Sequence, residues 1–260
     1  MFPGLSQFPE GQIIAFALVL FRILAFVVAW PVFGTSTVPV HVKVLLSVTL
    51  SMILFPTISF QNVDLIRIDD QLIFLAIREL FIGLALGFLM RMFFFAITIA
   101  GDLISITIGL SAAQLFNPSM GTQSSVIEQF EVMIATLFFL AINGHHIFIQ
   151  GMVESFQIAP VAAIAVKAQS FAGITTIVQD VFLAGLRISA PILVAIFLTN
   201  IAMGIVGRAV PQINVLVTSM PVTAMLGMAI LIVTTPLFLG EMNGLLNLMA
   251  ERFFQFVKVM

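Results

Sequence analysis

The sequence contains no cysteine among its 260 residues. Disulfides, thiol chemistry and cysteine-ligated metals are excluded, and the redox compartment leaves no trace. Charge is almost as scarce: charged residues make up 8% of the chain, against about 25% in an ordinary globular domain. Ten Lys and Arg against twelve Asp and Glu give a net charge of −2. That gives no footing for a nucleic-acid partner, whose phosphates need many basic contacts. Catalytic patterns are missing too. There is no His-Glu-x-x-His, no Gly-x-Ser-x-Gly and no glycine-rich phosphate loop. His145 and His146 are adjacent, so on a helix they point about 100° apart and do not chelate as an i, i+4 pair does. Asp102 has no second acidic residue in a matching context. We expect no enzyme, no cofactor and no metal site. Residues 1–12 lack a basic run and carry Pro3, Pro9 and Glu10, unlike a secretory signal peptide. The first apolar segment is expected to stay in the mature protein.

What is present is apolar. Hydrophobic residues make up 61% of the chain, against a norm of about 45–50%. A soluble domain of this length cannot cover that much apolar surface, so lipid or a large apolar partner must. A membrane-spanning helix needs about 20 mostly apolar residues. Residues 13–33, 44–60, 72–100, 132–149, 181–206 and 215–239 are the candidates. The third, at about 43 Å, exceeds a hydrocarbon core of about 30 Å, so it must tilt, bend or project. The fourth is interrupted by Asn143, Gly144, His145 and His146. Pro31, Pro56, Pro191, Pro221 and Pro236 each remove a backbone donor, which predicts bent or broken helices packed against other protein. Gly83 and Gly87, and Gly185 with Ser189, are small-x-x-x-small steps that let helices approach closely. Beyond 241, Met242, Leu245, Leu246, Met249, Phe253 and Phe256 form an apolar stripe opposite Asn243, Asn247, Glu251 and Gln255. That pattern predicts an amphipathic helix on a membrane surface or a partner. Without visible repeats, the chain reads as one domain, 1–260, in which 1–125 form the N-terminal portion and 126–260 the C-terminal portion. The balance of Arg67, Lys167, Arg252 and Lys258 against Lys43 and Arg208 places both termini in the cytoplasm.

Five charges stand inside the apolar runs: Arg22, Arg78, Glu79, Arg91 and Arg187. Each costs about 2.5–3.5 kcal/mol at a helix centre in lipid. They are expected to be buried charges that pair with one another, snorkel, or face an interface or wet cavity. The stretch 101–125 contains no Lys or Arg. Ile104, Ile106 and Ile108 alternate there with Ser105, Thr107 and Gly109, before a turn at Asn117, Pro118 and Gly121. Two readings stay open: an extended, channel-closing loop, or a third helix that continues to residue 113.

Several stretches carry a resemblance. They are Arg22 through Pro31-Val-Phe-Gly34, Val38-Pro39 and Lys43; Glu79 with Gly83 and Gly87; Asn117-Pro118; Asn143-Gly144-His145; and Arg187 with Ala190-Pro191. Last comes Gly207-Arg208-Ala-Val-Pro211-Gln212-Ile-Asn214, ending at Met220-Pro221. In this order they resemble the FliR family of type III secretion export-gate proteins over nearly the whole chain. The Pro-Gln-x-Asn run is the most specific of them. Ser219-Met220-Pro221 departs from the family, where a Gly directly before the Pro is expected.

The resemblance implies an all-α membrane protein whose long, partly kinked helical hairpins pack into a larger hetero-oligomeric helical assembly, partly lifted above the bilayer. It implies a structural and gating subunit of the flagellar export channel, in the bacterial inner membrane at the flagellar basal body. The implied partners are FliP and FliQ in the gate core, FlhB around it, FlhA nearby, and unfolded flagellar substrates passing through. It implies a pore plug at 110–120, with Leu110, Gln114, Leu115, Phe116, Asn117, Pro118 and Met120. Pro211, Gln212, Asn214 and Pro221 would form a subunit interface or a structural turn. The rivals are the equivalent subunit of a virulence secretion system and, from another class, a small-solute secondary transporter with broken helices.

Overall fold

The computed structural model describes residues 10–34, 38–58, 68–110, 125–161, 173–212 and 214–259. Among these residues the regular structure is entirely helical. The α-helices are α1 (Glu10–Ala29), α2 (Val40–Leu54), α3 (Ile68–Ile108), α4 (Val126–Ala141), α5 (Gly144–Ile158), α6 (Ile174–Ala209) and α7 (Val215–Val259), with a 3-10 turn at Phe55–Thr57. Five helices are long and apolar enough to cross a membrane, and the broken pair α4 and α5 would make a sixth. The expected all-α membrane architecture is therefore present.

Helix boundaries follow local chemistry. Pro31 lies just beyond α1, Pro39 precedes α2, and Pro56 sits in the 3-10 turn. Pro191, Pro221 and Pro236 instead lie inside the continuous helices α6 and α7. A proline removes one hydrogen bond but its fixed φ is helical, so these long helices continue through it instead of breaking. The break between α4 and α5 falls at Asn143, whose φ of 57° lies in the left-handed region, where a short polar side chain is tolerated.

The described chain divides into two compact units that interleave along the sequence. The first comprises Met1–Met92, Asn143–Thr175 and Met249–Met260. Here α1 lies against the early turns of α3. A Cβ at Gly83 would collide with the carbonyl oxygen of Arg22 and the Ala25 side chain, and one at Gly87 with Ala29 and the Phe26 carbonyl. The Gly-x-x-x-Gly step is thus where α1 and α3 meet backbone to backbone. Trp30, Phe26, Ile82 and Met90 are buried around it. Phe253 fills the hollow left by Gly151 and meets Phe148 edge to face, with centroids 5.2 Å apart.

The second unit comprises Phe93–Ile142 and Thr176–Leu248. Phe93, Phe94 and Phe139 form a ring cluster between α3 and α4 with centroid separations of 5.0–5.8 Å. Gly185 sits against Ile99 and the Ala96 carbonyl, and Ser189 is buried beside it. This small-x-x-x-small step lets α6 lie close on α3.

The C-terminal stripe differs from the expectation of a separate surface helix. It is the continuous end of α7, and Met242, Leu245, Leu246, Met249, Phe253 and Phe256 are all buried. The chain's own helices supply the apolar surface that the stripe requires.

Candidate functional site

The stretch from residue 101 onward carries the clearest candidate, because both of its ends are anchored in the second unit. Helix α3 runs on to Ile108 and stops at Gly109. Gly109 has φ 94°, its N–H donates to the Ile106 carbonyl at 3.1 Å, and the Leu110 N–H donates to the Ser105 carbonyl at 3.1 Å. This is the double hydrogen bond of a Schellman cap, which needs a residue comfortable at positive φ. The extended reading of 104–109 is thereby corrected. Ile104 and Ile108 share a buried helical face and Ile106 points outward, as i, i+4 spacing on a helix produces, whereas a strand would put all three on one face. The helix also ends five residues short of 113, because glycine supplies the stop.

The returning end is fixed by a second cap. Ser125 Oγ accepts from the Glu128 N–H at 3.0 Å, and Glu128 Oε2 accepts from the Ser125 N–H at 3.2 Å, a reciprocal capping box at the start of α4. A Cβ at Gly101 would collide with the Glu128 backbone, so the two helices are held tightly together. Ile104 and Ile108 of α3, Ile127 of α4, and Ile192 and Ile196 of α6 form one buried cluster, covered by Ala224, Ile230 and Leu231 of α7. Thr223 Oγ1 donates to the Ile108 carbonyl at 3.2 Å, and a Cβ at Gly227 would run into the Ile108 side chain. Four helices therefore hold Gly109 and Ser125, the described ends of the stretch 111–124. Leu110 is exposed at its start. Gln114, Leu115, Phe116, Asn117, Pro118 and Met120 lie outside the described residues.

The turn between α6 and α7 holds the next predicted residues. Pro211 and Gln212 are exposed turn residues. Asn214 caps α7: its Oδ1 accepts from the Val217 N–H at 3.4 Å, and its carbonyl accepts from the Thr218 N–H and hydroxyl. A Cβ at Gly207 would collide with the Val215 side chain, so the two helix ends meet closely. Pro211 and Gln212 thus lie between the end of α6 and the Asn214 cap of α7. Pro221 is exposed two turns into α7.

The buried charges separate into groups. In the first unit, Arg22 and Glu79 are both fully buried, and Arg22 Nε lies 2.5 Å from Glu79 Oε2. Arg22 Nη1 donates to the Ser155 carbonyl at 3.1 Å and to Ser155 Oγ at 3.3 Å, and Nη2 to the Ala159 carbonyl at 2.9 Å. Its guanidinium lies 4.2 Å over the centroid of Phe156. Arg22 thus stands at the C-terminal end of α5, where orphan carbonyls and the helix dipole favour a cation. Arg78, partly buried, donates to Glu79 Oε1 at 3.2 Å. Arg91 and Arg187 differ from the expectation of burial. Both are exposed, although Arg187 borders a cavity between α4, α6 and α7.

Ser155, Ala159 and Phe156, which complete the Arg22 node, carry no sequence signal. Glu131 was also missed. It stands on α4 just ahead of the run 132–149, yet it is only 5% exposed. It faces a cavity of about 150 Å³ between α4, α6 and α7, which Arg187 also lines.

Comparison with known proteins adds an independent line. The profile of the bacterial export proteins, family 1, matches residues 13–249. The flagellar biosynthetic protein FliR of Bacillus subtilis is 35% identical over 240 residues, covering 91% of this chain and 92% of the relative. FliR of Aquifex aeolicus is 30% identical, covering 90% of each chain. FliR of Escherichia coli is 29% identical, covering 84% of this chain and 83% of the relative.

Proposed function

Because the chain belongs to the bacterial export proteins, family 1, and within them to the FliR family, we propose that it is a structural and gating subunit of the flagellar type III export channel. As a FliR-family member it is a membrane-embedded component of flagellar export that works with other proteins of that apparatus. In our reading those proteins are FliP and FliQ in the gate core, with FlhB around them and FlhA nearby, in the inner membrane at the flagellar basal body. Unfolded flagellar proteins pass through the centre. The excursion between Leu110 and Ser125 plugs the closed channel.

One observation supports this reading above the others: both described ends of the stretch 111–124 are held in place. The Gly109 cap, the Ser125–Glu128 capping box and the isoleucine cluster fix where it starts and returns. A connecting segment held by a rigid scaffold is how proteins position a functional loop. The absence of Lys and Arg from 101–125 would let it sit in a protein-lined channel with little charge to desolvate. The uncovered apolar surface of α6 and α7 agrees. Phe197, Leu198, Ile205, Met225, Ile232 and Val233 are exposed, and this much exposed apolar side chain calls for cover by a partner or lipid. The relatives above are flagellar proteins by name, which favours flagellar export over a virulence system.

The test is native mass spectrometry of the tagged chain, purified in mild detergent with its neighbouring reading frames co-expressed. A large assembly containing two other small membrane proteins is the expected result. A lone chain or simple homodimer, with the partners expressed but absent, would overturn the reading.

A further inference from the structure

The cavity of the second unit is built to receive a cation. Glu131 is 5% exposed, and its Oε2 is buried with no hydrogen-bond partner. Among the described residues no basic side chain stands within ion-pair distance of it. A buried carboxyl oxygen without a hydrogen-bond donor is costly, and a charged donor that enters offsets that cost. The remaining lining adds acceptors. Glu241 supplies a second carboxyl group against the single guanidinium of Arg187. Pro191 has no N–H for the Arg187 carbonyl one turn earlier, so that carbonyl is also open to a donor. The Thr234 and Thr235 hydroxyls are committed to the Ile230 and Leu231 carbonyls and do not satisfy Glu131. The rest of the wall, including Leu231 and Phe238, is apolar.

We propose that this cavity is the socket for a lysine side chain from a neighbouring subunit, its ammonium on Glu131 and its four-carbon stem against the apolar wall. The inference rests on the reading of the chain as an assembly subunit. Size and chemistry favour this occupant. The volume of about 150 Å³ is that of an apolar cavity that takes up benzene, so the heavy atoms of a lysine side chain fit. Lysine presents a point charge at the end of an apolar stem, matching one buried carboxylate oxygen in an apolar hole. Arginine would bring a planar fork that seeks two acceptor oxygens. The site lies beside the exposed apolar faces of α6 and α7, where Val194, Phe197 and Val233 offer the rim of such an interface.

The experiment uses the wild-type complex, isolated in native membranes. A water-soluble carbodiimide activates a carboxylate, and an adjacent amine displaces the activating group to form an amide. The expected product, read by mass spectrometry of peptides, joins Glu131 to a lysine of another chain. An amide between Glu131 and an ethanolamine lipid would identify a lipid headgroup instead and overturn the proposal. An intact assembly in which Glu131 forms no amide with another chain, while exposed carboxylates react, would also overturn it.

The second arm is Glu131→Gln. It should lower partner recovery by about tenfold or more while the tagged chain keeps its membrane level, with the control Glu251→Gln, exposed and outside the cavity, changing recovery less. Unchanged recovery with Glu131→Gln refutes the socket. Failure of the assembly itself to appear in native mass spectrometry refutes the export-gate reading instead, so the two failures are distinguishable.

Discussion

Arg22 on α1 and Glu79 on α3 meet in the interior of the first unit with neither side chain exposed. They stand 57 residues apart in sequence, so the pair is a tertiary device. Two charges removed from water are tolerable only as long as both are present and their remaining hydrogen-bonding groups are satisfied. Glu79→Gln or Arg22→Met breaks the pair, leaving Arg22 without its carboxylate or Glu79 with only the partly buried Arg78, and should cost about 3–5 kcal/mol. The double variant Arg22→Met/Glu79→Leu should cost clearly less than the sum. The measurement is the heat-induced loss of the detergent-solubilised protein. Additive costs in that cycle would mean that the two groups are not coupled.

Gly83 tests the helix contact beside that pair. Gly83→Val places its branch against the Arg22 carbonyl and Ala25, where no room exists. Overpacking of this kind costs about 1–3 kcal/mol, and the shift of α1 should also loosen the Arg22 node. Gly240 is the control, because a Cβ there meets nothing within 4 Å. Gly240→Ala should leave the midpoint of thermal inactivation unchanged or raise it slightly. Equal sensitivity at both positions would count against the close contact.

Gly109 has open space around its missing side chain, so only its backbone conformation is at stake. At φ 94°, Gly109→Ala should destabilise the helix end by about 1–2 kcal/mol. Hydrogen exchange at Leu110 reads this directly, because the Leu110 N–H is bound to the Ser105 carbonyl. Faster exchange is expected, with Gly109→Asn intermediate. Unchanged protection in Gly109→Ala would show that the cap is not what ends α3.

Asn214→Ala removes the side-chain acceptor at the start of α7 and should cost about 1 kcal/mol, whereas Asn214→Asp should retain the cap. Motility on soft agar and complex recovery should fall together for the first and stay near wild type for the second. If replacing Pro211, Gln212 and Asn214 together left both readouts untouched, the turn would have no structural importance.

Removal of 111–120 tests the plug. Leu110 is kept because its N–H closes the cap on α3. The complex should assemble at wild-type yield, because the clamp of α3, α4, α6 and α7 is untouched. The membrane should leak small ions while export continues. A tight membrane in cells that contain the assembled variant would remove the plug role.

Particular residues show how far the sequence could be read. The apolar runs were legible because a helix in lipid must be long and continuous, and α1, α3, α6 and α7 lie where the runs predicted. Gly83 was legible as a close-packing step, although its partner helix was not. Arg22 and Glu79 were recognisable as charges out of place. Their pairing was not, because nothing in a linear sequence brings residue 22 to residue 79. Glu131 escaped notice for the opposite reason. It precedes an apolar run and reads as a surface residue until α6 and α7 close around it. The prolines were legible as sites of a lost hydrogen bond, from which bent or broken helices were expected, and of these two outcomes α6 and α7 do not break at theirs.

Composition and hydrophobic spacing alone determined that this is an all-helical membrane chain. Inside lipid only helices and closed barrels satisfy the backbone, and long continuous apolar runs suit the helix. Local signals such as Gly109, Ser125 with Glu128, and Asn214 also act through neighbours a few residues away, so their helix ends were written in the sequence. Only the tertiary structure decided which charges are neutralised, which apolar stripes are covered, and that α3, α4, α6 and α7 pack around Ile108. Those outcomes depend on contacts between residues far apart in the chain, set by packing and the cost of burying charge, and local spacing carries no record of them.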